Sequence, residues 1–150
     1  ENEVHGIERV VQGLRDAGCY VDRDAALEAW YTQGQFNAIE PDSGWKVDII
    51  VRKDRTYSKT EFERRERASL LGAEVSIASL EDVLIAKLEW SRLGDSALQR
   101  RDVIQLLERT WDRLDHPYLE RWITELGLEA EWREARERAT PATTSDEGGA

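Results

Sequence analysis

The chain has 150 residues, 35% of them charged, and a formal net charge of −10. That length suffices for one domain with its own core. The acidic balance argues against a surface that coats nucleic acid, although 21 Lys and Arg leave room for a local basic pocket. The lone Cys19 excludes an internal disulfide framework and fits a reducing cytoplasm, and one Cys with two distant His is poor material for a zinc site. No apolar run approaches a membrane span and no secretory signal is visible, so a cytoplasmic protein is expected. There is no Met, even at position 1, and the chain opens inside a helical pattern, which predicts a natural start upstream of Glu1.

Val4, Ile7, Val10, Val11 and Leu14 recur at helical spacing, and Gly18 ends that helix. Cys19-Tyr20-Val21 reads as a short strand. Asp22 caps a helix over 24–31. Asp22-Arg23-Asp24 has the D-x-D spacing of metal-binding acids, but its place at a helix start favours the cap. Residues 35–40 read as a strand, Pro41-Asp42-Ser43-Gly44 as a turn, and 45–52 as the returning strand of a hairpin. In that second strand Trp45, Val47, Ile49 and Val51 share one face, and Lys46, Asp48, Ile50 and Arg52 the other. Asp48, flanked by valine and isoleucine, is expected centrally in a sheet. It is either a carboxylate aimed at a ligand or a wet side chain paired with Lys46 or Arg52.

Lys53 to Lys59 reads as a polar connection. Lys53, Arg55 and Lys59 form either a basic rim or part of an ordinary solvated surface. A charged helix is expected over 60–71, stopped by Gly72, and then a strand over 74–78. Ser79, with Asp82 three residues on, opens a helix over 80–93. Gly94-Asp95-Ser96 breaks it and caps a helix over 97–114. Pro117 starts the next helix, to Leu126, and Gly127 separates it from a last one over 128–139. Residues 140–150 read as a disordered tail. The fold class expected is α+β (mixed α/β), a single domain over 1–139 with a mixed sheet and helices in 1–78 and helices in 79–139. Tyr20, Val21, Phe36, Ile39, Val75 and Ile77 are the expected sheet core.

Two helical positions are out of pattern. Lys87 falls on the stripe made by Leu80, Val83, Leu84, Leu88 and Ser91, where an ammonium needs a carboxylate, a ligand phosphate or a path to water. Asp102 lies between Leu98 and Leu106 on the next helix, beside Arg100 and Arg101. It either pairs with Lys87 or with an arginine in an ordinary salt bridge, or orients one of Lys87 and Arg101 while both bind a polyphosphate. Trp90, Trp111, Trp122 and Trp132 suit helix packing better than base stacking. His5 and His116 have no nucleophile partner in sequence terms.

The order of these parts resembles a known superfamily. Gly44-Trp-Lys-Val-Asp48-Ile-Ile, the Phe62-Glu-Arg-Arg segment, Ser79-Leu-Glu-Asp-Val-Leu-Ile-Ala-Lys87-Leu and Arg101-Asp102-Val-Ile-Gln-Leu-Leu together look like the back half of a nucleotidyltransferase-fold protein. The likeness is to minimal nucleotidyltransferases and the related toxin-type enzymes of toxin–antitoxin pairs, over about residues 5 to 130. It implies transfer of a nucleoside monophosphate from a nucleoside triphosphate to a hydroxyl of RNA, protein or a small molecule. In that superfamily two Mg ions, held by three carboxylates, assist the transfer. By resemblance, Asp48 matches the third carboxylate and metal ligand, Lys87 the lysine near the triphosphate, and Arg101 and Asp102 the R-D motif. The superfamily's Gly-rich segment and D-x-D pair would precede the helix at Glu3 and are absent here, so this chain is expected to be inactive or part of a longer protein. The alternatives are a catalytically dead binding or regulatory module, as a homo-oligomer or with a cognate partner protein, and a plain structural domain in which Lys87 and Asp102 form an ion pair.

Overall fold

A computed structural model describes residues 4–94 and 96–139 of the chain. The fold is α+β. The described residues pack as two compact units, divided between Ser58 and Lys59.

In the first unit, α1 (Val4–Asp16) is followed by β1 (Tyr20–Val21), α2 (Arg23–Thr32), β2 (Gln35–Ile39) and β3 (Lys46–Ile50). The strands form one antiparallel sheet in the order β1-β2-β3, with Phe36 opposite Ile49 and Asn37 opposite Asp48. The expected hairpin is therefore present, closed by Gly44 at φ +72°, a backbone state open to glycine. Ile7 and Val11 of α1 and Ala26 and Ala29 of α2 pack with Val21, Phe36 and Ala38 from one sheet face. Asp22 caps α2, its carboxylate accepting the Asp24 and Ala25 amides at 2.9 and 3.2 Å. The cap thus accounts for the first acid of the D-x-D spacing.

Two expectations for this sheet need correction. Asp48 is not central: β3 is an edge strand among the described residues. The Trp45-Val47-Ile49-Val51 face is buried only at its far end. Ile49 and Val51 pack on the core, whereas Trp45 is 74% exposed and Val47 57%. The helices cover only that end of the edge strand, so the alternation correctly identifies a strand but overstates its burial. Tyr20, on the opposite face from Val21, is also exposed and not a core residue.

In the chain order of the second unit, α3 (Thr56–Glu63) begins just before the boundary. It is followed by β4 (Glu66–Leu70), β5 (Ala73–Ile77), α4 (Leu80–Gly94), α5 (Ala97–Thr110), a short 3₁₀ turn (Trp111–Arg113), α6 (His116–Glu125) and α7 (Glu129–Arg138). The single helix expected over 60–71 is a correction. It starts four residues earlier, ends at Glu63, and its second half is a strand paired with β5 in a two-residue hairpin. Charges at i,i+4 along Glu61–Arg67 read as a helix face, but Ala68 and Leu70 alternate with Arg67 and Ser69 at the strand period. That alternation puts Ala68, Leu70, Ala73, Val75 and Ile77 on one face of the ribbon. Every strand pairing among the described residues is antiparallel, so the expected mixed sheet is replaced by two small antiparallel ones. Ile77 and Leu70 are exposed, which also corrects Ile77 as a core residue.

The helical core of this unit is Leu84, Ile85 and Leu88 of α4, Val103 and Leu107 of α5, Leu119, Trp122 and Ile123 of α6, and Leu128, Trp132 and Ala135 around α7. Gly127, at φ +65°, turns the chain between α6 and α7. Arg92, near the end of α4, donates to the carbonyls of Leu126 and Gly127 at 3.3 and 3.0 Å and ties that turn down. The tail from Thr140 lies outside the described residues.

Candidate functional site

Asp48 projects from the exposed strand β3 with its side chain 53% accessible. Its Oδ1 lies 3.5 Å from the Lys46 ammonium and 3.4 Å from Asn37 Nδ2, the residue opposite it on β2. These are loose contacts at the surface, of the kind worth at most about 1 kcal/mol. A lone half-exposed carboxylate beside an ammonium is a poor ligand for magnesium, which requires hard oxygen donors in near-octahedral array. No group of three His, Cys, Asp or Glu able to hold a metal occurs among the described residues. The residues described here do not fit a two-metal centre.

Lys87 and Asp102 are brought together. Four turns of α4 pack along α5, and the Lys87 ammonium bonds Asp102 Oδ2 at 2.7 Å and Gln99 Oε1 at 3.2 Å. Lys87 lies two turns into α4, and i,i+3 spacing near the start of α5 aligns Gln99 and Asp102 on one face. The side chains remain 26% and 32% exposed, so the pair stands at a wetted seam rather than inside the core. Arg101 is exposed and lies on another face of α5. It lines a groove with Ala97, Arg100, Ile104, Glu134 and Arg138. Asp48 belongs to the first unit, and Lys87, Arg101 and Asp102 to the second.

The buried stripe of α4 is rotated from the one expected. Glu81, Asp82, Leu84, Ile85, Leu88 and Ser91 are buried, and Leu80, Val83 and Lys87 flank them. Two acids can occupy that stripe because they are bonded. Asp82, fully buried, accepts the Ser79 hydroxyl at 2.6 Å on Oδ2 and the Tyr118 hydroxyl at 2.6 Å on Oδ1, while its amide donates to Ser79 Oγ at 3.2 Å. Arg64 reaches both acids, at 3.2 Å to Glu81 and 3.4 Å to Asp82, and its guanidinium lies 3.8 Å over the Tyr118 ring. Glu81 also accepts the Asp115 amide at 2.9 Å. Burial works against the Arg64 charge, but Tyr118, Asp82 and Glu81 outweigh it and raise its pKa. Desolvation first, and then the bond to Asp82, push Tyr118 well above an ordinary phenol.

This network joins the segment after α3 to α4 and α6, and sequence reasoning found only its Ser79–Asp82 corner, through the capping pattern. Arg64 and Tyr118 are separated by more than fifty positions, and no spacing rule links them. No family model, curated protein or solved structure matches this chain.

Proposed function

We propose that the chain is a nucleotidyltransferase-like protein whose second unit binds the phosphates of a nucleoside triphosphate at Lys87. The observation that carries the reading is the state of the Lys87 ammonium. Three N–H donors are present on a lysine, and two of them are engaged by Asp102 and Gln99. The third remains for a phosphate oxygen arriving from solvent, and Asp102 holds the side chain so that little rotamer freedom is lost on binding. Asp102 and Gln99 act as positioning residues in this account.

By resemblance alone, Asp48 of the first unit would be one carboxylate of a transfer in which a nucleoside monophosphate passes to a hydroxyl acceptor. With Lys46 and Asn37 as its neighbours it does not complete a magnesium site, so transfer requires further carboxylates. Binding is therefore separable from transfer. Titration calorimetry with ATP and Mg²⁺ is expected to give saturable binding that Lys87→Ala weakens by about tenfold or more, the loss of one charge-assisted bond. Absence of ATP binding to the wild-type chain would overturn the proposal.

A second reading, a catalytically silent protein-binding module, is favoured by the hairpin β4–β5. Its apolar face leaves Leu70 61% and Ile77 47% exposed, with Leu71 wholly exposed at the turn. That reading gains if ATP fails to bind while replacement of Leu70 and Ile77 by serine abolishes a concentration-dependent self-association seen by sedimentation.

A further inference from the structure

We infer that the free edge of β3 pairs with β3 of a second copy of this chain, antiparallel, about a two-fold axis through Val47. β3 ends the sheet β1-β2-β3, and no strand among the described residues pairs with its outer side. Its bonds to β2 fall on odd-numbered residues. The Glu40 amide donates to the Trp45 carbonyl at 2.8 Å, and the Val51 amide donates to the Gly34 carbonyl at 2.9 Å. Alternation along an antiparallel strand then turns the N–H and C=O groups of Lys46, Asp48 and Ile50 outward. Such a row of donors and acceptors is a template for another strand.

Charge selects both the partner and the register. Lys46 and Asp48 stand on one face of the strand, each about half exposed. An axis through Asp48 would set two carboxylates opposite each other, and an axis through Lys46 two ammonium groups. An axis through Ile49 or Ile50 forms no opposite-charge pair within Lys46–Ile50. The axis through Val47 sets Lys46 of each copy opposite Asp48 of the other, and these pairs exchange their main-chain bonds as well. On the helix-side face the same register sets Trp45 opposite Ile49 of the second copy and Val47 opposite its own counterpart. Aromatic and β-branched side chains pair well across strands, and the register covers Trp45 and Val47, which α1 and α2 leave in solvent. The axis is perpendicular to the sheet, so two three-stranded sheets become one, with the helices of both copies on the same side.

The strand is only 5 residues long, so the contact is small beside a standard interface and a reversible dimer is expected. The inference rests neither on nucleotide binding at Lys87, in the other unit, nor on a metal at Asp48. Sedimentation equilibrium of the full chain should show a monomer–dimer equilibrium. Lys46→Glu or Asp48→Lys alone sets like charges opposite each other and should weaken self-association about tenfold. An equimolar mixture of the two variants should dimerise again, because each chain then meets opposite charges on the other. Mixing leaves the charges within each chain as they were, so recovery reads the contact between copies and not a repaired hairpin. Both side chains are exposed, and unchanged thermal unfolding of each variant checks the fold. A chain that stays monomeric up to millimolar concentration overturns the inference, as does a mixture no more associated than its components. A dimer that resists the charge variants but is lost on replacing Leu70 and Ile77 by serine belongs to the β4–β5 hairpin, which overturns the inference as well.

Discussion

Tyr118 makes a usable probe of the buried network because it acts through one oxygen. Tyr118→Phe removes the donor to a fully buried carboxylate, and chemical denaturation should report a loss of about 1–3 kcal/mol. The alkaline limb gives an independent check. The folded-state pKa of Tyr118 lies above its ordinary value of 10.0, so the native state holds this proton more tightly than the unfolded chain. The resulting stability is fully present below pH 10 and is lost as the pH rises through the folded pKa. Stability above pH 10 should therefore fall less steeply in Tyr118→Phe than in the wild type. At the acid end Glu40 has the opposite sign. Its pKa is lowered by the Ser43 hydroxyl and then by the amides of Asp42 and Ser43, so its contribution is present above the unfolded carboxylate pKa and lost on acidification through the folded one. The Lys87–Asp102 pair differs from both. Neither partner is fully buried, and exchanging both together for Met and Leu should change stability by no more than about 1–2 kcal/mol in either direction.

At the level of single elements, the hairpin β4–β5 contains a conformational oddity. Its two-residue turn has Leu71 at φ +51° and Gly72 at φ +84°, the left-handed pair of a tight hairpin turn. Glycine adopts that state freely, whereas a leucine pays about 1–2 kcal/mol for it, here without any compensating contact, since Leu71 is 100% exposed. Leu71→Asn should raise stability by about 0.5–1 kcal/mol in chemical denaturation, because Asn tolerates this region. No change, or a loss, would mean that the leucine contributes something the described contacts do not include. The α4 helix illustrates a related point. Its apolar spacing was readable, but the buried stripe includes Glu81 and Asp82 because Arg64 and Tyr118 supply their bonds. A pattern of apolar residues cannot register acids that are neutralised from elsewhere in the chain.

For the molecule as a whole, each unit has its own core, and cavities should act locally. Phe36→Ala opens the first unit and Leu119→Ala the second, each at a cost of about 3–5 kcal/mol. Hydrogen exchange read residue by residue should show protection lost chiefly in the unit that carries the substitution. Uniform loss over all described residues would indicate one cooperative body.

No helix among the described residues is long and apolar enough to cross a membrane, in keeping with the short apolar runs of the sequence. Local chemistry sufficed to read the α+β class, the 35–52 hairpin, the Asp22 and Ser79 caps and the glycine stops. Each of these is set by residues within one or two turns of each other, or by a fixed helical period. The exposure of Trp45 and Val47 and the Arg64–Asp82–Tyr118 network needed the tertiary structure, as did the placing of Arg101 and Arg138 along one groove. All three depend on which distant side chains come to cover or bond a group, and hydropathy periods hold no information about such partners. The chemistry of a site follows the same division: residue types suggest what can bind, while packing alone sets how many donors are left to do it.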